Sequence, residues 1–394
     1  MERPVTDEDV RAVVADAAAS GTPIAPRGHG TRAGLGRPVE HRPLDLSAVT
    51  GIVAYEPAEL VLTARAGTPL AEIAVAVDAA GQELAFEPPL AGLAHGEAGA
   101  GTVGGLVATA LSGPRRIRAG ALRDHVLGVT AVSGRGEIFR AGGKVVKNVT
   151  GYDLSKGLAG SFGTLAVLTE VTLKVMPKAE TAATVLLAGL SDARAVAAMT
   201  AAMGAPVDVS AASHLPAPAA ARLGFPAAVT LLRLEGVAPS VEERAGRLAG
   251  LLKPFGTAER LGSAETARIF AALRDGALFA DNRDHPLWRV SVAPTAGPAI
   301  AAAVPDAATV VYDWSGGLVL LAVDPAAPDA HAARVRAAVA AAGGGHATLL
   351  RGAPDLRLRV PPFEPQPAAL AALARRLKAE FDPAGILNPG RMDF

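Results

Sequence analysis

The chain of 394 residues contains no cysteine, few aromatic residues and no excess of either charge. The absence of cysteine excludes disulfides, thiolate zinc sites, cysteine-ligated iron–sulfur clusters and a cysteinyl link to a cofactor. Lys+Arg 38 equal Asp+Glu 38, which argues against an electrostatic surface for nucleic acid or for anionic membranes. Because only 4% of the residues are aromatic, stacked platforms for nucleic-acid bases are disfavoured as well.

A targeting segment is also not visible. Four of the first ten residues are acidic, whereas a secretion signal needs basic residues followed by an apolar stretch. The long uncharged runs at 98–114 and 290–305 are interrupted by glycine and proline and fall short of a membrane span. These features predict a cytoplasmic protein, peripheral to the inner membrane only through partner subunits.

The length exceeds what a single hydrophobic core normally fills, so we expect more than one domain. Residues 1–178 combine helices and strands with glycine-rich loops. Residues 179–360 alternate alanine-rich helices with short strands, and residues 361–394 contain one more helix followed by a proline- and glycine-rich tail. The pattern predicts an α+β fold divided at these positions.

Local signals predict where individual elements begin and end. Thr6 and Asp9 have the spacing of a capping box, which predicts a helix that ends at Gly21. Thr68-Pro69 predicts a hydroxyl cap and a first-turn proline for a second helix. The alternation of side chains over 165–175 predicts a strand.

The segment 28–33, Gly-His-Gly-Thr-Arg-Ala, fits the dinucleotide fingerprint G-x-G-x-x-A. A Rossmann site needs a helix that begins within this motif, but Gly34, Gly36 and Pro38 follow and would interrupt it. The Rossmann interpretation therefore fails. The loop is compatible with a nest of backbone N–H groups around an anion, to which Arg27 and Arg32 can add positive charge. It is equally compatible with a surface turn on which these two arginines are solvated.

Two further glycine-rich loops span 99–105 and 160–164. The first lies in a run, 86–120, that shows no clear helix or strand pattern, and such a run is unusual in a compact domain unless it binds a ligand. Three loops beside buried strands suggest one long ligand. FAD has this shape, since it combines a diphosphate, a polar ribityl chain and two ring systems.

At this point the motifs carry a family resemblance. Segments 26–31, 101–105, 151–154 with 160–165, and 387–391 resemble, in order, the motifs of the vanillyl-alcohol-oxidase type, or PCMH-type, FAD-binding domain. Shorter stretches are similar to the FAD-binding E-subunit family of bacterial glycolate oxidases. They are 87–89, 112–116, 147–154, 287–289 and 344–348.

The resemblance implies an FAD-binding domain of two α+β subdomains, an α+β cap domain, and a C-terminal segment that returns to the FAD domain. It also implies an FAD-dependent oxidoreductase that is a subunit of a glycolate oxidase complex converting glycolate to glyoxylate. The implied partners are a homologous FAD-containing catalytic subunit and an iron–sulfur subunit. The alternative is a self-sufficient FAD-dependent dehydrogenase of a small 2-hydroxy acid.

By position, the resemblance also implies a set of cofactor-binding residues. The first two loops would wrap the diphosphate, Thr164 and Val167 would lie near the adenine, and Asn388 and Arg391 would approach the pyrimidine edge of the flavin. Because His29 does not match the position of a covalently linked histidine, we expect non-covalent FAD. The full set is Pro26, Arg27, Gly28, His29, Gly30, Thr31, Gly101, Thr102, Val103, Gly104, Gly105, Ser112, Gly113, Gly151, Tyr152, Gly160, Gly163, Thr164, Val167, Asn388 and Arg391.

Oxidation of a 2-hydroxy acid needs a base for the hydroxyl group and a cation for the carboxylate. His346, flanked by glycines, is a reachable base, and Arg289 could hold the carboxylate. A turn histidine and an arginine stacked on the adjacent Trp288 are compatible alternatives. No two histidines lie at ligand spacing on one helix or turn, so no metal site is predicted.

Overall fold

The computed structural model describes residues 3–90, 99–143, 152–281 and 283–392. The first part of the chain forms a small parallel strand pair and a larger antiparallel sheet, with short helices around them. Its elements are α1 (Asp7–Ser20), β1 (Ile24–Arg27), β2 (Arg42–Asp45), β3 (Ile52–Glu56), β4 (Val61–Arg65), α2 (Leu70–Ala79), β5 (Gln82–Glu83), α3 (Val103–Thr109), α4 (Arg116–Ala119), α5 (Leu122–His125), β6 (Val126–Ser133), β7 (Ile138–Gly142), α6 (Leu154–Leu158), β8 (Ala166–Lys174) and β9 (Met176–Pro177).

The larger sheet of this part has the order β3-β4-β8-β6-β7. Its central strand β8 is the strand predicted from the alternation at 165–175, and it pairs antiparallel with both β4 and β6. Ile73 of α2, Leu106 of α3 and Val171 of β8 share one buried apolar cluster. The glycine-rich helix α3 is thus held against the sheet, which fixes the loop that precedes it.

The capping box predicted for α1 is confirmed. The Thr6 hydroxyl accepts a hydrogen bond from the backbone N–H of Asp9 at 3.1 Å, and the Asp9 carboxylate accepts one from the N–H of Thr6 at 3.0 Å. The helix ends at Gly21, whose φ of 64° is left-handed. The predicted absence of a helix directly after the 28–33 motif is also confirmed, since residues 31–37 form turns and bends.

Two local predictions were wrong. Helix α2 begins at Leu70 without a side-chain cap, because the Thr68 hydroxyl is already bonded to Gly51, donating to its carbonyl and accepting from its N–H. The run 86–120 is not structureless, since it contains α3 and α4. Gly104 and Gly105 weaken the helical pattern of α3 in the sequence, but the packing of Leu106 against the first sheet compensates.

The second part of the chain forms a long antiparallel sheet with helices packed against it. The strand order is β13-β10-β12-β11-β15-β16-β14-β17. The elements are β10 (Thr181–Ala188), α7 (Asp192–Met203), β11 (Val209–Leu215), α8 (Ala217–Ala221), β12 (Val229–Gly236), α9 (Ala238–Leu252), β13 (Ala258–Leu261), α10 (Ser263–Asp275), β14 (Leu287–Ser291), α11 (Gly297–Ala302), β15 (Thr309–Asp313), β16 (Leu318–Ala322), α12 (Ala332–Ala341), β17 (His346–Arg351) and α13 (Pro354–Arg359).

The C-terminal segment contains α14 (Ala368–Phe381) and then returns to the first part of the chain. Leu387 forms a parallel bridge with Ile24 of β1. The N–H of Ile24 donates to the carbonyl of Ile386 at 2.8 Å, and the N–H of Asn388 donates to the carbonyl of Ile24 at 2.9 Å. The last residues therefore extend the strand pair from which the first glycine loop emerges.

A network of buried ion pairs joins the two parts. Arg233 of β12 makes a bidentate pair with Glu87, with N–O distances of 2.8 and 3.0 Å. Arg115 pairs with Glu235 of β12 at 2.7 Å and with Glu83 at 2.5 Å. Burial opposes ionisation of Glu87, but the two guanidinium groups outweigh it and lower the pKa of this carboxyl. The network fixes the second sheet against the first part.

Candidate functional site

A cavity of about 260 Å³ opens where the first glycine loop leaves β1. The chain turns sharply after Arg27, and its backbone forms one wall of the cavity. Residues from α3 and from the C-terminal segment form the opposite side. The lining consists of Ala25, Pro26, Arg27, Gly28, His29, Gly30, Thr31, Arg32, Ala33, Val39, His41, Pro43, Thr102, Gly105, Ala108, Thr109, Phe162, Asn388 and Arg391. We call this space the glycine-loop cavity.

The first and second loops meet at Gly28 and Thr102. A Cβ atom at Gly28 would lie 2.7 Å from Cγ2 of Thr102, so only glycine permits this approach. The Thr102 hydroxyl also caps α3, accepting a hydrogen bond from the N–H of Gly105 at 3.3 Å. A smaller cavity of about 70 Å³ continues from this point toward β8.

Gly101 makes the second close approach. Its φ of 73° is left-handed, and a Cβ atom there would collide with the side chains of Thr31 and Arg32. The carbonyl of Gly101 also accepts a hydrogen bond from the N–H of Leu70 at the start of α2. The two loops are thereby fixed in contact along one side of the glycine-loop cavity.

Arg32 places a buried positive charge in this wall. Its side chain is 8% exposed, and burial lowers the pKa of its guanidinium to about 10. Nη1 donates to the carbonyl of Ala100 at 3.1 Å, whereas Nε has no hydrogen-bond partner. In the part of the chain that the structure describes, no carboxylate forms an ion pair with Arg32. An anionic ligand such as a diphosphate fits this unsatisfied cation.

The third loop and the C-terminal segment complete the cavity. Phe162 has a left-handed φ of 54°, and its carbonyl accepts a hydrogen bond from the Asn388 side-chain amide at 2.9 Å. Arg391 donates to the carbonyl of Ala33 at 2.9 Å. Burial, with the nearby Arg357, lowers the pKa of the Arg391 guanidinium to about 10. The C-terminal segment thus contributes a second cation to the lining of the cavity.

The structure brings most of the predicted cofactor-binding residues to these two cavities. The residues that line one or both are Pro26, Arg27, Gly28, His29, Gly30, Thr31, Thr102, Gly104, Gly105, Gly163, Val167, Asn388 and Arg391. Gly101 does not line either cavity but lies against Thr31 and Arg32, which do. Gly151 lies outside the described residues.

The remaining predicted residues lie elsewhere. Val103, the first residue of α3, is fully buried in the core, and the Thr164 hydroxyl donates to the carbonyl of Ser161 at 2.6 Å. The Ser112 hydroxyl accepts from the N–H of Leu122, and Tyr152 is 90% exposed. Gly113 and Gly160 make backbone hydrogen bonds within the fold. These six residues do not line either cavity.

Sequence reasoning missed several lining residues. His41, whose ring is hydrogen-bonded to the carbonyl of Pro389, belongs to no recognisable motif. Phe162 belongs to the third glycine-rich loop, but nothing in the sequence distinguishes it as a lining residue. Arg32, by contrast, stands inside the fingerprint and was named there with Arg27 as a charge beside the anion nest; it lines the cavity.

A second, larger cavity of about 760 Å³ lies against the second sheet. In the register of β14 and β17, Arg289 faces Thr348 and Ser291 faces His346, and all four residues line the cavity. We call this space the arginine cavity. The predicted pair His346 and Arg289 therefore shares one cavity, although His346 is exposed at the beginning of an edge strand.

Trp314 forms part of the wall of the arginine cavity. The Cζ atom of Arg289 lies 4.9 Å from its ring centroid, and that of Arg116 lies 4.3 Å away. The predicted alternative that Arg289 stacks on Trp288 was wrong in its partner, because Trp288 faces the core and donates from Nε1 to the carbonyl of Ala330. Burial and the charge of Arg116 lower the pKa of the Arg289 guanidinium to about 10.

The two cavities adjoin at a pair of aromatic rings. Phe162 lines the glycine-loop cavity and Phe363 lines the arginine cavity. Their ring centroids are 5.0 Å apart in an edge-to-face arrangement. A ligand that fills the first cavity would thus lie close to the second.

The helices of the described ranges include none long and apolar enough to cross a membrane.

Comparison with solved structures identifies the fold. The chain superimposes on p-cresol methylhydroxylase with bound substrate at a TM-score of 0.75 and 17% identity, covering 99% of this chain and 88% of that one. A 4-ethylphenol oxidase from Gulosibacter chungangensis gives a TM-score of 0.73 at 15% identity, with coverage of 99% and 88%. The predicted α+β, PCMH-type fold is confirmed.

Sequence comparison identifies the family. A family described as "FAD binding domain" matches residues 2–142. Glycolate oxidase subunit GlcD of Bacillus subtilis (strain 168) is 44% identical over 85 residues, which cover 22% of this chain and 18% of that protein. Glycolate oxidase subunit GlcE of Escherichia coli (strain K12) is 37% identical over 372 residues, covering 94% of this chain and 93% of that protein. With this identity over nearly the whole of both sequences, the chain belongs to the family of glycolate oxidase subunit GlcE.

Proposed function

We propose that the glycine-loop cavity holds FAD, with its diphosphate against the first two loops. The buried, incompletely hydrogen-bonded guanidinium of Arg32 supports this assignment, because a diphosphate supplies the missing anion. Asn388 and Arg391 would border the flavin ring, where a positive group favours its reduced, anionic form. When bound, FAD supplies the two-electron chemistry, while the residues of this chain bind it and exclude water.

The FAD is expected to be non-covalent. His29 lines the cavity, but it does not stand at the position that the covalently linked histidine takes in the resembling family, and the chain has no cysteine. Acid precipitation of the FAD-loaded protein is therefore expected to leave a colourless pellet and a yellow supernatant. Flavin colour that stays with the washed, unfolded pellet would contradict the prediction.

We further propose that the chain acts as the FAD-binding subunit of a complex that oxidises glycolate to glyoxylate. The observation that carries this proposal is the similarity to GlcE across nearly the full length of both chains. A homologous FAD-containing subunit would carry out the oxidation, and an iron–sulfur subunit would receive the electrons. The lack of cysteine in this chain supports that division, since a thiolate-ligated cluster must lie on another chain.

A self-sufficient dehydrogenase is the second candidate. The observation that favours it is the placement of Arg289 and His346 on one face of the arginine cavity. Addition of glycolate or D-lactate to the FAD-loaded chain under anaerobic conditions separates the two candidates. The subunit proposal expects bleaching of the flavin band only when partner subunits are present. Bleaching of the isolated chain would favour the second candidate.

Helix α14 presents a surface that supports the subunit proposal. None of its residues is buried, and Leu370, Leu373 and Leu377 are 53%, 59% and 42% exposed at helical spacing. Leu370 also borders the arginine cavity. A contiguous apolar stripe of this kind is typical of a surface that packs against another chain.

Substitution of Leu373 by glutamate is expected to weaken assembly with the partner subunits by about tenfold or more, because it places a charge in the apolar stripe. The measurement is co-purification of tagged variants with co-expressed partners. Leu358→Glu is the matched control, since Leu358 is 52% exposed on α13 outside this stripe. Equal recovery of partners with both variants would argue against docking at α14.

We propose the domain limits 1–178, 179–360 and 361–394. Each of the two large sheets falls within one of the first two ranges. The return of Leu387 to Ile24 supports treating the third range as part of the cofactor-binding unit.

A further inference from the structure

We propose that the arginine cavity binds a small dicarboxylate, and that it binds it more tightly than a monocarboxylate such as glycolate. Two guanidinium groups, those of Arg116 and Arg289, lie over the same Trp314 ring at the wall of this cavity. They come from different parts of the fold, Arg116 from α4 and Arg289 from β14. The proposal concerns this cavity alone and goes beyond the proposed binding of FAD.

The first argument is charge. Among the described residues, no carboxylate forms an ion pair with Arg116 or Arg289. Glu364 lines the same cavity, but its carboxylate accepts the backbone N–H of Ala347 at 2.9 Å. Asp124 is close enough to raise the pKa of Arg116 through its charge but forms no ion pair with it. Its carboxylate instead accepts a hydrogen bond from the backbone N–H of Ala121 at 2.9 Å. Two cations without paired anions therefore face one cavity, and one carboxylate would leave the second cation unmatched.

The second argument is rigidity. Trp314 is 4% exposed and adopts a left-handed φ of 51°, followed by Ser315 at 61°. The turn is held at two points: the Asp313 carboxylate accepts the N–H of Trp314 at 2.8 Å, and Nε1 of Trp314 donates to the carbonyl of Gly113 at 3.1 Å. A strained backbone fixed in this way is common where a side chain must be precisely placed. The aromatic ring is thus a preorganised support for both cations.

The third argument is size and polarity. The Cζ atoms of Arg116 and Arg289 lie 4.3 and 4.9 Å from the same ring centroid, so they can be no farther apart than about 9 Å. A short dicarboxylate can bridge this distance when each of its carboxylates accepts hydrogen bonds from one guanidinium. Ser291, His346 and Thr348 lie beside Arg289 on the same sheet face. These side chains offer hydrogen-bond partners for a hydroxyl group between the two carboxylates.

The test compares glycolate with tartronate, which is glycolate carrying a second carboxylate on the same carbon. We expect titration calorimetry of the FAD-loaded chain to show tartronate binding about tenfold more tightly, as one added charge-assisted interaction at a partly solvated site implies. Arg116→Met is expected to remove this preference. Arg289→Met is expected to weaken both ligands.

Arg118→Met is the matched control. Arg118 also belongs to α4 and is exposed, as Arg116 is, but it pairs with Asp208 at 3.2 Å and does not line the cavity. The proposal is overturned if glycolate binds as tightly as tartronate, or if the preference survives in Arg116→Met. Retention of flavin absorbance in each variant is recorded separately, so a failure of FAD binding is distinguished from a failure of the dicarboxylate site.

Discussion

Replacement of Gly101 by valine is expected to abolish FAD binding, reducing affinity by about a hundredfold or more. A β-branched residue is strained at the φ of 73° found here. Its Cβ would also displace Thr31 and Arg32 from the wall of the glycine-loop cavity. The measurement is the flavin-to-protein absorbance ratio after dialysis against known concentrations of FAD.

Gly189→Val is the matched control for this substitution. Gly189 has the same φ of 73°, but no atom lies within 4 Å of the position its Cβ would occupy. It introduces the backbone strain without the collision, and it lies in the second part of the chain. We expect it to lower stability modestly and to retain stoichiometric FAD. Full flavin content in Gly101→Val would refute the placement of the diphosphate.

Replacement of Arg233 by methionine is expected to destabilise the protein by about 3–5 kcal/mol, because it leaves Glu87 buried without its bidentate partner. In a chain of this size, thermal denaturation should then show a Tm lower by about 4–6 °C. Arg233 also lies over the Phe270 ring at 4.4 Å, so the substitution removes packing as well as charge. Arg233→Lys should be intermediate, since it keeps the charge but loses the planar fork.

Arg260→Met serves as the control for Arg233→Met. Arg260 pairs with Glu242 on the exposed surface, where ion pairs contribute little, and its removal should leave the Tm nearly unchanged.

The pH dependence of the Tm gives a second measurement of the Arg233–Glu87 pair. The pKa of Glu87 is lowered in the fold, so its contribution is present above the unfolded value of about 4.3 and is lost as pH falls through the folded value. The Tm difference between wild type and Arg233→Met should narrow on acidification, and a constant difference would contradict this account.

The elements that could be predicted from sequence are those whose signals are local. The Thr6 capping box involves only residues within one helical turn. The glycine loops are recognisable from their composition, because glycine permits a close approach of the backbone. Thr68 shows the limit of this reasoning. Its hydroxyl has the right position for a helix cap, but a contact with Gly51, 17 residues away, takes that hydroxyl instead.

The arginine cavity could not be predicted as a unit. Arg116, Arg289 and Trp314 are distant in sequence and meet only because the second sheet packs against α4. Arg289 was predicted as a carboxylate-binding residue, but its stacking partner Trp314 lies 25 positions away and could not be inferred from the adjacent Trp288. The left-handed backbone at Trp314 carries no glycine that would have marked it.

The return of the C-terminal segment to β1 has a consequence for how the protein matures in the cell. Ile24 leaves the ribosome early, whereas Ile386, Leu387 and Asn388, which complete its hydrogen bonds, are translated hundreds of codons later. A nascent chain therefore lacks one side of the glycine-loop cavity until its last residues are translated. If this cavity holds FAD as proposed, we expect stable cofactor binding only after residues 386–388 have been translated, and a chain truncated before them should retain less FAD.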